Sequence, residues 1–158
     1  MSLIATGAIV DPPADAISIQ NNGFWPDLVP ASFREARRLD GTVTPGRIEF
    51  ALDAALRDVN RQLAAYQAEQ VASGVSAAAD IPREDWQVAG HHQDLYRQAI
   101  YATAHAWLIE QYGDVAATGT RNDNAGEAKL LTADDCRRDA RWAISELLGE
   151  GHVIAELI

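Results

Sequence analysis

The stretch "TPGRIEFALDAALRDVNRQLAAY", Thr44 to Tyr66, decides the fold. Thr44 can cap a helix whose first position is Pro45, where a missing N–H costs nothing because that amide has no helical partner anyway. Ile48, Leu52, Ala55, Leu56, Val59, Leu63 and Tyr66 then recur at steps of three and four, which aligns them in one stripe. Burying each large member is worth about 1.5–3 kcal/mol before the entropy of ordering is subtracted, so the stripe reads as core. The opposite side is unusual. Phe50 lies about 200° around from Ile48, near Ala54, Arg57, Arg61, Ala65 and Ala68. A large ring among small residues and arginines suits contact with a second body. The alternative is cover from within, by an N-terminal arm carrying Trp25.

Upstream, residues 1–23 contain Pro12, Pro13, Asn21 and Asn22 and show no sustained period, which predicts a flexible arm. Phe24 and Trp25 follow beside Pro26, hooks for the chain's own core or for another chain. Ser32 and Glu35 have the spacing of a capping box and predict a short helix ending near Leu39, before Asp40-Gly41.

Downstream, 73–87 reads as a loop with Ile81 and Trp86 as anchors. A helix is expected from about His92 to Tyr112. Its apolar residues point in nearly every direction, among them Leu95, Ala99, Tyr96, Ile100, Trp107 and Leu108, so it should be the central one. Residues 113–128 form a flexible loop by composition. The last helix is expected to be capped by Thr132 with Asp135 three residues on, to bury Cys136, Ala140, Ala143, Ile144 and Leu147, and to stop at Gly149. The end, "HVIAELI", is short and β-prone and can add to a sheet edge elsewhere or dock on its own domain. The prediction is all-α: a small bundle of about four helices, with an arm over 1–23, a helical domain over 24–149 and a C-terminal tail over 150–158.

Composition narrows the function. The chain has 158 residues, 47% of them apolar, which suffices for one core. Its net charge of −10 argues against a grip on phosphate backbones. A lone cysteine, Cys136, permits no internal disulfide, and 1–23 lacks the basic flank of an export signal, so the cytoplasm is the default compartment. No run is long enough to cross a bilayer. Twelve of the thirteen basic residues are Arg, a bias that suits planar contacts at protein interfaces or follows from a GC-rich genome.

Chemistry is not signalled. No E-x-x-H pair, phosphate-binding loop or nucleophile elbow occurs. His91 and His92 point about 100° apart on a helix, while His105 and His152 stand far off in sequence. The expectation is a non-enzyme without metal or cofactor. His91 and His92 read as a solvated helix start, His105 as a hydrogen-bonded core histidine, and Asp134-Asp135 as complements to a helix dipole.

"FWPDL", "LDGTVTPGRIEFAL", "VNRQLAAY", "ADIP", "YRQAIYATAHAWLIEQY", "RRDARWAI" and "AELI" together, in this order over Ile17 to Ile158, resemble the head completion proteins of temperate contractile-tailed phages, the gpL family. The resemblance implies a virion protein with no catalytic residues. It would bind the portal protein after packaging, form a ring with neighbouring copies, taken as dodecameric, and meet a tail-side connector. Packaged DNA would pass through without specific binding, and subunits would wait in the host cytoplasm during assembly. The interface residues expected are Phe24, Trp25, Phe50, Arg57, Arg61, Arg138, Arg141, Trp142, Val153, Ile154, Leu157 and Ile158. An acidic helical regulatory module, of adaptor or antitoxin type with a soluble partner, is the other reading.

Overall fold

The chain orders itself around one long helix in the computed structural model, which describes residues 17–112 and 131–150. The elements are α1 (Pro30–Ala36), α2 (Pro45–Gln62), α3 (Ala64–Ala72), α4 (His91–Gln111) and α5 (Ala133–Leu147), with a 3-10 turn at Ala78–Asp80 before α4. The protein is all-α. Among the described residues the only β pairing is an isolated antiparallel bridge, Ile19 to Leu28.

Because α4 is apolar all round, it takes the centre. Tyr96, Ile100 and Leu108 are fully buried along it, with Ala99, Ala102 and Ala104 letting neighbours approach closely. Two contacts orient α5: His91 Nε2 lies 3.5 Å from Glu146 Oε1 at one end, and Arg137 pairs with Glu110 at the other. The two helices are therefore antiparallel. On the other flank, Phe50 meets Trp107 with ring centroids 5.2 Å apart, and Tyr96 Oη donates to Asn60 Oδ1 at 2.7 Å. These contacts make α2 antiparallel to α4 as well. The expected stripe of α2 supplies Ile48, Leu52, Ala55 and Val59 to the core, and that of α5 supplies Cys136, Ala140, Ala143, Ile144 and Leu147.

Three local expectations need correction. α1 starts at Pro30 behind Val29 with no side-chain cap, because proline presets the first helical φ. Ser32 thus falls inside the first turn and cannot act as the cap. The helix read through to Tyr66 divides at Leu63, where φ −93° and ψ 4° separate α2 from α3. Hydrogen bonds Leu63 N–H to Val59 O and Gln67 N–H to Leu63 O run across the joint, so the periodicity hides it. His92 is buried at the α4 start rather than solvated.

α5 begins as expected. Thr132 accepts from the Asp135 amide at 3.1 Å, and Asp135 Oδ2 accepts from the Thr132 amide at 3.2 Å, a reciprocal capping box. Thr132→Ala should lower folding stability by about 1 kcal/mol in urea titration, without changing helix content at saturation of the native state.

Of the expected arm, residues 1–16 lie outside the described ones, as do residues 113–128, where a loop was expected. Residues 17–23 are tied down. Asn22 Oδ1 accepts from the amides of Phe24 and Trp25 at 3.1 and 3.2 Å, while Gly23 supplies the positive φ of 85° that the turn requires. Asn21 Nδ2 donates to Tyr96 Oη at 2.8 Å, and Asn60 Nδ2 donates to Asn21 Oδ1 at 2.9 Å. With the Tyr96–Asn60 bond these close a polar triangle. Burial pushes the Tyr96 hydroxyl up to about 12, which keeps it a donor throughout the physiological range. The Ala78 amide donates to Phe24 O at 2.8 Å and clamps the segment from the other side.

His105 is a core histidine, 4% exposed, with Nδ1 unpartnered among the described residues. Burial, then the nearby Arg37 charge, lowers its pKa to about 4. The folded pKa is depressed, so this group's contribution to stability is complete above pH 6.5 and is lost as the pH falls toward 4, on the order of 3 kcal/mol. The His105 imidazole resonances should stay at neutral-form positions down to pH 5 in NMR titration, while unfolding midpoints in urea decline over the same window.

Candidate assembly surface

Of the two readings open for Phe24 and Trp25, a hook into the chain's own core or onto another chain, the structure takes the first: they are 5% and 2% exposed. Trp25 stacks on Tyr96 at 4.5 Å and 3° and takes the edge of Phe24 at 5.0 Å. These two aromatics anchor the protomer's own core, because the Asn22 turn directs both rings inward. They are removed from the outer surface. Trp25 consequently does not cover Phe50.

Phe50 is 58% exposed. It lies against Trp107, and Trp107 in turn meets Tyr112 edge-on at 5.9 Å. The Arg47 guanidinium sits 4.4 Å from the Tyr112 ring centre. A strip of three aromatics closed by a cation thus runs across the ends of α2 and α4. Arg57 and Arg61 are on the same helix but engage its own acids, Asp53 and Asp58. Exposed pairs of this kind contribute little to stability and remain available to a partner.

Beside the strip, α2 and α5 stand apart over α4 and leave a groove of about 370 Å³. Ala54, Ala55, Ala106, Ala140 and Ile144 form its floor, and small side chains are what give it depth. Asp58, Glu110, Arg137 and Arg141 stand on the rim. Asp58 is held by Arg61, and Glu110 by Arg137. Arg141 is exposed.

On another side of α5, Trp142 is 43% exposed, with the Arg138 guanidinium 4.9 Å from its ring centre. Arg138 also pairs with Asp135 and Asp139. The structure therefore puts Phe50 and Arg141 on the two helices that bound one groove, and Arg138 with Trp142 in a separate patch. Val153, Ile154, Leu157 and Ile158 lie outside the described residues.

Reading the sequence alone misses Trp86 and Val88. Trp86 is 68% and Val88 69% exposed, while Ile81 alone of the two expected loop anchors is buried. Trp86 instead rests edge-on against His91 at 5.2 Å. The signal was present in "REDWQV", where charged and polar neighbours surround the indole with no helical period to turn it inward. Among the described residues no cluster of three or more His, Cys, Asp or Glu is placed to hold a metal ion, and no helix is long and apolar enough to cross a membrane.

The comparisons with known proteins agree on one kind. A family model described as phage head completion protein (GPL) matches residues 19–158. The head completion/stabilization protein of Escherichia phage P2 is 32% identical over 153 residues, spanning 97% of this chain and 90% of that one. The probable head completion/stabilization protein of Haemophilus phage HP1 (strain HP1c1) is 27% identical over 138 residues, spanning 86% and 89%. No solved structure matches the chain.

Proposed function

Because the chain belongs to the phage head completion protein (GPL) family, a family of structural virion proteins, we propose that it finishes the DNA-filled head by binding the portal vertex as a ring of copies. The far side of the ring receives the tail-side connector. The observation that carries this reading is apolar surface left uncovered after the bundle has closed: Phe50, Trp86, Val88 and Trp142 on one protomer. Neighbours in a ring would bury such surface.

The bundle of α2, α4 and α5 forms the rigid wedge of each subunit. The C-terminal residues Val153, Ile154, Leu157 and Ile158 latch onto a neighbour or the portal. Free subunits in the host cytoplasm stay monomeric, since segments that order only on binding spend interaction energy on that ordering. The portal supplies the template and, with it, the dodecameric count. A net charge of −10 suits a channel wall past which DNA slides, although salt confines the repulsion to about 10 Å.

Electron microscopy of the protein mixed with its portal tests this. Rings capping the portal are expected, and their absence at saturating protein would refute the reading.

A further inference from the structure

Of the exposed apolar features, the Trp86 loop and the α2/α5 groove complement each other, and they cannot meet within one molecule. The loop is a closed turn. Gln87 Oε1 accepts from the Glu84 amide at 2.9 Å, the Gln87 amide returns a bond to Glu84 O at 3.0 Å, and Arg83 reaches Gln87 O at 3.3 Å. Trp86 is held out from this turn against His91, at the first residue of α4. The groove floor is at Ala106, fifteen residues further along the same helix, which at 1.5 Å per residue is about 22 Å away. The knob is thus fixed at one end of α4 and the groove at the other.

We infer that Trp86 of one copy docks in the α2/α5 groove of the next, a head-to-tail contact that deepens the ring reading and rests on it for closure. Three properties match. The indole is the most exposed large ring of the described residues, and the groove of about 370 Å³ has an alanine floor with Trp107 at its side. Glu84 and Asp85, exposed beside the knob, have no cationic partner among the described residues. Arg141 on the groove rim has no acidic partner among the described residues either. Asp85 and Glu84 therefore bring negative charge to the rim position that lacks it, and charge complementarity of this kind sets register and orientation.

Different surfaces on the two sides give a heterologous contact, the kind that propagates into a ring. One buried indole hides about 150–250 Å², well below the ~1,000 Å² of a lasting interface. Contacts between free copies are accordingly brief until a template collects them.

The test uses the full chain carrying Asp85→Cys, Arg141→Cys or both; the native Cys136 is fully buried and does not compete. Under mild oxidation at high protein concentration, and again with portal added, the double variant should give a ladder of disulfide-linked multimers. Each single variant should stop at dimers, and adding Trp86→Ala to the double variant should cut the ladder at least about tenfold, the loss of a central Trp anchor. A double variant that links no further than the single ones, or a ladder indifferent to Trp86→Ala, overturns the contact. Rings on the portal without the ladder would remove this contact and leave the ring reading intact. A ladder without rings would do the reverse.

Discussion

Trp25→Ala is expected to destabilise the protomer by about 3–5 kcal/mol, the range for truncating a buried large aromatic. The ring is stacked on Tyr96, packs near Tyr66 at 6.4 Å and receives the edge of Phe24. Its Nε1 has no partner among the described residues, so packing carries the whole contribution. The loss should spread. Without the indole, Tyr96 loses its stacking partner, and Tyr96 is the residue through which Asn21 and Asn60 hold the N-terminal segment to α2 and α4. For a chain of this size a fall in melting temperature of roughly 10 °C follows. Differential scanning calorimetry measures it. A fall under about 3 °C would mean that the segment 17–28 is not part of the cooperative core.

Phe50→Ser should show the opposite pattern. The side chain is mostly in water in the protomer and touches one ring, so stability should fall by no more than about 1 kcal/mol. Completed heads should nevertheless drop by more than about tenfold in a complementation assay, because under the proposed ring Phe50 would sit in an interface repeated at every copy, and an aromatic central to an interface is worth at least ~2 kcal/mol. Both quantities are needed. Equal losses in stability and assembly would assign Phe50 to folding, and unchanged assembly would take the α2/α4 aromatic strip out of the interface.

Much of this architecture is legible in the residues themselves because helix signals are local. The Thr132–Asp135 box, the stop at Gly149 and the apolar circumference of α4 each need only neighbours along one helix to be recognised. What is not legible depends on residues far apart in sequence. The fate of Phe24 and Trp25 depends on Tyr96 and Ala78, more than fifty positions away, which receive them. The joint at Leu63 carries neither Gly nor Pro, so nothing local announces it.

The candidate surface divides in the same way. Phe50 was legible, since a ring opposite a complete core stripe has no place inside a helix pair. The groove was not, because it is the gap between α2 and α5 over α4 and its alanines look like ordinary helix formers one chain segment at a time. Trp86 departs from its expected role as an anchor for a related reason. A tryptophan in a loop goes inward or outward according to what lies beneath it, and here that is the edge of His91.

The most direct measurement is a side-chain-resolution reconstruction of the completed portal vertex. A ring in which Phe50 and Trp86 of every copy are covered by adjoining subunits is the predicted result. A ring that leaves both rings facing solvent, or a vertex at which copies touch only the portal and never one another, would contradict the account.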